Sequence, residues 1–398
     1  MKMISRPPTS RFRLPIVPLL AALLIGPLAS PAADADCNCK KAKEKESCVS
    51  LPILFATDRT QILKSHKDID YGKQIVFPID SISYGFKRTN ATANFSDKNE
   101  TEEVTKLGWT VYPPELTKEK LRDDYLKQQP EVEASHALAG YDELVSKTRS
   151  MLEASGKHQI VIYVHGCCLD FDGSIGQAAE LASSVKTPVI AYCWGCSKGY
   201  AGSSVSFPRT QERFNKFMLQ IRQSFPDERI SIVSTSIGTQ LVHHFCLQKR
   251  PEDYGNKPID EIIYSRADLD DVALRSQLDS LTRHSKKIIV LVAKNDFQIN
   301  LSGTLRWFFY PSQHGERAGH LRASLQTESP LTVLDVSPLK LGHVIPYDCV
   351  AELINNKGDV PSSSPAFHYE HKDDNLYRVE YQDSENKRSA SSPQSVVK

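Results

Sequence analysis

The chain has 398 residues, of which 40% are hydrophobic and 24% are charged, and its formal net charge is +1 at pH 7. This length accommodates one large or two ordinary domains, and the composition is that of a soluble globular protein with a buried core. A net charge so close to zero excludes a global field that would attract nucleic acid or an anionic membrane. No nucleic-acid partner is therefore expected.

Residues 1–35 have the composition of a secretory signal peptide. Basic residues precede an apolar stretch at 14–28, and the small residues at 33–35 form a small-x-small cleavage site. Prolines interrupt the apolar stretch, which is too short and broken for a transmembrane helix. We therefore expect an exported protein, periplasmic or extracellular, with no stable membrane span in its mature form. The alternative is a membrane tether through an uncleaved N-terminal segment.

The chain has nine cysteines, and export would allow them to form disulfides, which form outside the cytosol. Three of them fall in a polar lead segment at residues 36–50. The pair Cys193 and Cys196 follows an apolar run. It could be a redox motif, a structural disulfide or two plain buried thiols, and the sequence leaves these alternatives open. No His/Cys cluster has the spacing of a structural zinc site, so no metal is expected.

Residues 51–356 are expected to form the main domain, and its first part is irregular. Short strand-like runs are found at 51–56, 74–78 and 107–112. A polar stretch at 87–102 is predicted to be an exposed loop, and a charged helix is predicted over 115–126. Apolar residues at helical spacing between Leu138 and Leu152 indicate a further helix.

From residue 159 onwards, continuous apolar runs alternate with amphipathic segments. The runs predict strands at 160–164, 189–193, 230–233, 259–265, 288–293 and 331–336. Helices are predicted at 175–185, 214–225, 239–248, 274–281 and 350–355. This alternation indicates an α/β fold with a mostly parallel sheet covered on both faces and an N-terminal antiparallel extension. Residues 357–398 are Ser-rich and charged, which predicts a disordered polar tail.

A strand, a tight turn and a helix meet at Ser236, in the run Ser234-Thr235-Ser236-Ile237-Gly238. A serine with small residues two positions away on each side fits a nucleophile elbow, whose sharp turn leaves no room for large neighbours. Glycine normally occupies both small positions, and here Ser234 takes the first. An ordinary Ser/Gly turn has the same spacing, so the prediction of a nucleophile depends on its partners.

Two further residues complete a catalytic triad in the chain order of α/β-hydrolases, which is nucleophile, acid and histidine. Asp296 follows the fifth predicted strand of the alternating region and His343 follows the sixth. Both lie at carboxyl ends of parallel strands, where ligands bind in such sheets. Ser236 would attack a carbonyl, His343 would take its proton, and Asp296 would fix the imidazole tautomer. Asp268, after the fourth strand, is the alternative acid.

The oxyanion hole is predicted from two backbone N–H groups. The first is that of Ile237, directly after the nucleophile. The second comes from the loop His165-Gly166-Cys167, where the glycine allows the backbone to approach closely. The N–H of Cys167 is the expected donor, and that of Cys168 is the alternative.

Several short motifs are spread over residues 51–354. They are Ile53-Leu54-Phe55-Ala56-Thr57-Asp58-Arg59, Asp70-Tyr71-Gly72-Lys73, Val164-His165-Gly166, Cys193-Trp194, Ala267-Asp268-Leu269-Asp270, Asn295-Asp296 and Leu341-Gly342-His343. Together they resemble the bacterial α/β-hydrolase family known as domain of unknown function nine hundred. The resemblance implies an α/β-hydrolase fold and a triad of Ser236, Asp296 and His343. The chain departs from the family at the elbow, where small-His-Ser-Met-Gly is usual.

These patterns predict an exported serine hydrolase that cleaves carboxylic esters or related acyl compounds through an acyl-enzyme. Its partner would be a small-molecule acyl or ester substrate, and the chemistry needs no cofactor. The alternative is a catalytically silent protein that keeps the α/β-hydrolase fold for binding or scaffolding. The altered elbow and the cysteines in the loops favour this alternative.

Overall fold

The computed structural model describes residues 50–63, 69–75, 82–90, 104–107, 130–167, 169, 171–196, 199–254, 257–309, 316–320, 331–373 and 375–382. All of these belong to one compact unit, Ser47–Lys398. The predicted signal peptide, nearly all of the lead segment and the predicted helix at 115–126 lie outside the described residues. Within the described ranges, no helix combines the length and the apolar character that a membrane crossing requires.

The strands, in chain order, are β1 (Ser50–Thr57), β2 (Arg59–Leu63), β3 (Ile69–Ile75), β4 (Ser83–Asn90), β5 (Val104–Leu107), β6 (Gln159–Val164), β7 (Val189–Cys193), β8 (Arg229–Thr235), β9 (Ile259–Ser265), β10 (Ser285–Val292), β11 (Leu331–Asp335), β12 (Phe367–Asp373) and β13 (Leu376–Tyr381). The helices are α1 (Pro130–Ser155), α2 (Phe171–Val185), α3 (Gly199–Ser224), α4 (Gly238–Gln248), α5 (Asp271–Ser276), α6 (Leu278–His284), α7 (Phe297–Phe309) and α8 (Tyr347–Asn355). Short 3-10 helices lie at Pro251–Tyr254 and Ser337–Leu339.

Eleven of the described strands form one sheet in the order β12-β13-β11-β10-β9-β8-β6-β7-β1-β4-β5. Every neighbouring pair from β13 to β1 is parallel. The strands β4 and β5 extend one edge in antiparallel pairs, and β12 does so at the other edge. β2 and β3 form a separate antiparallel pair. The predicted fold, a mostly parallel sheet with an N-terminal antiparallel extension, is confirmed.

The central strands are continuous apolar runs because helices cover both faces of the sheet. Along β6, Ile160 and Ile162 contribute to one hydrophobic cluster, which also contains residues of α3 and α4. Val161 and Tyr163 contribute to a second cluster, which contains residues of α2 and α8. The alternation of side chains along a strand divides a single apolar run between two cores. A parallel sheet of this kind brings all its carboxyl ends to one edge.

Some elements differ from the predictions. β4 occupies the start of the stretch predicted as an exposed loop at 87–102, where its backbone pairs with β1 and β5. The helix predicted at 274–281 is two short helices, α5 and α6, and α7 forms where no helix was predicted. The predicted strands at 74–78 and 107–112 coincide only with the ends of β3 and β5, and their remaining residues lie outside the described ranges.

The prediction of a disordered tail over 357–398 is wrong for most of the described part. Strands β12 and β13 pair with each other, and β13 joins the sheet in parallel beside β11. Phe367 and Val379 are buried, whereas the neighbouring His368 and Arg378 are exposed. Phe367, Leu376 and Val379 supply the buried face, so the mean composition hides a strand pattern that buries only one face. Residues 383–398 lie outside the described ranges.

Candidate active site

Ser236 occupies the sharp turn between β8 and α4. Its backbone φ is 53°, in the left-handed region that residues other than glycine rarely adopt. The turn is held by neighbouring backbone groups, since Ser236 N–H donates to Ser265 O at 3.1 Å and Ser236 O accepts from Asp268 N–H at 3.2 Å. Strained backbone of this kind concentrates at functional sites. The geometry is that of a nucleophile elbow.

Two glycines allow the elbow to pack tightly against the end of β6. A Cβ atom at Gly238 would lie 2.2 Å from the carbonyl oxygen of His165, and one at Gly166 would lie 2.9 Å from Ser236 Cβ. Both distances are shorter than side-chain carbons tolerate. At the other small position, Ser234 lies within β8 and is buried. The contact at Gly238 explains why a residue without a side chain is needed two positions after Ser236.

Asp296 and His343 form a hydrogen-bonded pair. His343 Nδ1 lies 2.7 Å from Asp296 Oδ2, although the two residues come from different loops after β10 and β11. Asp296 is fully buried, and its other oxygen accepts a hydrogen bond from Ile299 N–H at 3.1 Å. Because a carboxylate only accepts, Nδ1 carries the proton and Nε2 is left as the basic atom.

The three predicted triad residues share one edge of the sheet. β8, β9, β10 and β11 are consecutive parallel neighbours, so the turns that follow them lie side by side. Among the described residues, no hydrogen bond joins the Ser236 hydroxyl to the His343 imidazole. Such bonds are often long in an enzyme without substrate. The structure brings Asp296 and His343 into contact and places Ser236 at the same edge.

Asp268, the alternative acid, has other partners. Its Oδ1 lies 3.0 Å from Arg317 Nε and accepts a hydrogen bond from the Ser302 hydroxyl at 2.9 Å. Its backbone N–H supports the elbow through Ser236 O. This buried ion pair gives Asp268 a structural role and favours Asp296 as the acid.

Arg266 is a buried residue at this edge that the sequence analysis missed. Its side chain is fully buried, its φ is 52°, and its Nε lies 3.9 Å from Asp296 Oδ2. Burial lowers the pKa of the guanidinium, and the carboxylates of Asp296 and Asp335 oppose that shift. An arginine after a strand is usually exposed, so no signal in the sequence separates it from a surface residue.

One predicted oxyanion donor directly follows Ser236 in sequence, and the other belongs to the loop after β6. Ile237 is buried directly before the first residue of α4, and its N–H donates to no acceptor among the described residues. Cys167 follows Gly166, whose Cα packs against Ser236. The alternative donor, Cys168, lies outside the described residues. The loop after β6 therefore packs against the turn that contains Ser236.

The cysteines and acidic residues of the described part suggest no further chemistry. Cys193 and Cys196 are buried thiols and are not joined in a disulfide. Burial raises the pKa of the Cys193 thiol to about 12, which disfavours the thiolate that disulfide exchange requires. Among the described residues, no group of three or more His, Cys, Asp or Glu side chains could hold a metal ion.

Comparison with known proteins identifies the family. The family described as alpha/beta hydrolase of unknown function (DUF900) matches residues 142–352, which is more than half of the chain. The chain belongs to this family. The matched region runs from α1 to α8 and contains all three residues of the predicted triad.

A solved structure is also similar to this DUF900 member. It is the crystal structure of esterase B from Lactobacillus rhamnosis with a C4-C4 Sn3 tributyrin phosphonate. The two chains are 12% identical with a TM-score of 0.29, over 50% of this chain and 75% of the esterase chain. No curated protein matches the sequence.

Proposed function

We propose that this α/β-hydrolase is an exported serine hydrolase that cleaves carboxylic esters or related acyl compounds. The observation that carries the proposal is the hydrogen bond between the buried Asp296 and the half-buried His343, at the sheet edge where Ser236 occupies a strained elbow. A carboxylate that orients an imidazole next to a strained serine turn is the arrangement that nucleophilic catalysis by serine requires.

In the proposed reaction, His343 Nε2 takes the proton of the Ser236 hydroxyl while Ser236 Oγ attacks the acyl carbon. The carbonyl oxygen becomes an oxyanion, which the N–H groups of Ile237 and Cys167 stabilise. The imidazolium then returns its proton to the departing alcohol, and an acyl-enzyme remains on Ser236. Water, deprotonated by His343, attacks this ester and releases the carboxylic acid. Asp296 stabilises the imidazolium in both halves of the cycle.

The surroundings of the triad favour an apolar acyl group. Phe297, next in sequence to Asp296, is 71% exposed, and Val344, next to His343, is 52% exposed. Large apolar side chains exposed beside a catalytic edge suit contact with a hydrocarbon chain. We therefore propose a small-molecule ester with an apolar acyl chain as the substrate, and no cofactor.

A second candidate is a silent binding or scaffold protein. It is favoured by one observation, which is that no hydrogen bond joins Ser236 to His343 among the described residues. The predicted export through residues 1–35 is common to both candidates. Membrane tethering through that segment is its alternative.

The test is the hydrolysis of p-nitrophenyl esters, from acetate to octanoate, by the purified chain. Ser236→Ala is expected to lower kcat by about 10⁴-fold or more, because removal of a nucleophile leaves only binding and the oxyanion hole. Ser234→Ala is the matched control, since it removes a buried serine hydroxyl two residues away without touching the nucleophile. Absence of hydrolysis by the folded wild type would support the scaffold instead.

A further inference from the structure

Three separate motifs meet beneath the loop that follows β6. Arg59 is the first residue of β2, two positions after the end of β1, whereas His165 directly follows β6 and Trp194 directly follows β7. These strands are neighbours in the order β6-β7-β1, so their carboxyl ends are adjacent. All three side chains are fully buried. None of them takes part in the proposed bond-making steps, and a buried arginine beside a buried histidine requires an explanation.

The contacts of His165 determine which of its nitrogens carries the proton. Arg59 Nη2 lies 3.2 Å from His165 Nε2, and His165 Nδ1 lies 2.5 Å from the carbonyl oxygen of Gly166. A guanidinium can only donate, so Nε2 must accept with its lone pair. The ring is neutral with its proton on Nδ1, and Nδ1–H donates to Gly166 O. Each nitrogen thus has the partner that its state requires.

We propose that Arg59 and His165 are positioning residues that aim the second N–H of the oxyanion hole. The Gly166 carbonyl and the Cys167 N–H belong to one planar trans peptide, in which C=O and N–H point in opposite directions. A hydrogen bond that fixes the carbonyl toward His165 fixes the Cys167 N–H on the opposite side. Gly166 packs against Ser236, so this peptide borders the reacting atoms.

The pair is itself held by its surroundings. Arg59 N–H donates to the Thr57 hydroxyl at 3.1 Å, and Arg59 Nη2 also donates to Leu169 O at 2.9 Å. The Trp194 ring stacks on His165 with centroids 5.4 Å apart, and its Nε1–H donates to His165 O at 2.8 Å. Burial, together with the charge of Arg59, lowers the pKa of His165 well below its usual value. The imidazole therefore keeps one plane and one tautomer.

This role rests on the proposed serine hydrolase activity, and a matched pair of variants tests it. His165→Leu removes the donor to Gly166 O and is expected to lower kcat by about 10²–10³-fold, the usual effect of losing one oxyanion donor. His165→Asn keeps an N–H near the position of Nδ1 and is expected to stay within tenfold of wild type. KM should change little in either variant, because the interaction acts in the transition state.

The ratio of ester to thionoester hydrolysis separates positioning from general structural damage. Sulfur accepts hydrogen bonds poorly, so an intact oxyanion hole favours the ester, and His165→Leu should reduce that preference. An unchanged ratio, or full kcat in His165→Leu, would overturn the positioning role while leaving the hydrolase in place. A wild type that hydrolyses neither ester would instead overturn the proposed function and this role together.

The tautomer of His165 can be measured without turnover. In ¹⁵N-histidine-labelled protein, assigned by the signal lost in His165→Asn, long-range ¹H–¹⁵N spectra should show the proton on Nδ1. A proton on Nε2 would contradict the inference even in an active enzyme. Because this measurement is made on the wild type, it remains decisive if His165→Leu fails to fold.

Discussion

The contact between Gly166 and Ser236 makes a quantitative prediction about the proposed nucleophile. An alanine Cβ at residue 166 would lie 2.9 Å from Ser236 Cβ, 3.4 Å from Thr235 O and 3.6 Å from Ser236 Oγ. Carbon atoms pack best at about 3.5–4.0 Å, so the loop or the elbow must move by roughly 0.5–1 Å. Ser236 cannot yield easily, because its φ of 53° is already strained. A misplacement of about 1 Å between reacting groups costs on the order of 10²-fold in rate.

Gly166→Ala is therefore expected to lower kcat/KM for p-nitrophenyl butyrate by about 100-fold. The accompanying loss of stability should be about 1–3 kcal/mol, as for other overpacked sites. Steady-state kinetics at several temperatures below the melting transition separate the two effects. Gly303→Ala is the matched control, because its Cβ would meet only the Arg317 side chain, at 3.7 Å. Wild-type kcat/KM in Gly166→Ala would refute the reasoning, since residue 166 would then not lie close enough to displace Ser236.

The remaining predictions concern stability, pH and substrate choice. Gly238→Ala should lower Tm by several degrees because its Cβ would lie 2.2 Å from a backbone oxygen. Gly303→Ala in α7 should instead raise Tm slightly, and equal melting curves for the two variants would contradict the packing of the elbow. Burial lowers the pKa of His243 from 6.5 to about 4, so the stability that its neutral form contributes is complete above pH 6.5 and is lost as pH falls toward 4. The loss of stability should be about 2 kcal/mol at pH 5. The melting temperature of His243→Gln should therefore depend less on pH across this window than that of the wild type, and an equal dependence would show that the ring is solvated. Phe297→Ala should raise KM for octanoate more than for acetate, and equal changes would exclude acyl contact at this exposed ring.

Much of the fold could be predicted because the parallel strands are buried on both faces. Their apolar runs are continuous, so β7 (Val189–Cys193) and β9 (Ile259–Ser265) were predicted at the bounds that the structure shows. The tail strands β12 and β13 were missed, because few of their side chains face the core and the rest are polar.

Some residues of the candidate site could likewise be predicted from the sequence, and others could not. Asp296 and His343 could be proposed from their places after consecutive strands, and the structure brings them into contact. The place of Arg266 beside Asp296 could not be predicted, since its burial depends on neighbours that only the folded chain supplies. The contact between Arg59 and His165 joins residues 106 positions apart, and no local pattern in either segment indicates it.

The identity of the nucleophile is tested most directly by covalent trapping. After treatment with a fluorophosphonate, peptide mass spectrometry of the folded chain should find one adduct, on Ser236. The adduct should persist in Ser234→Ala, disappear in Ser236→Ala and form far more slowly in His343→Ala. A folded wild type that gains no adduct, or one that carries it on another residue, would contradict the assignment of Ser236 as the nucleophile.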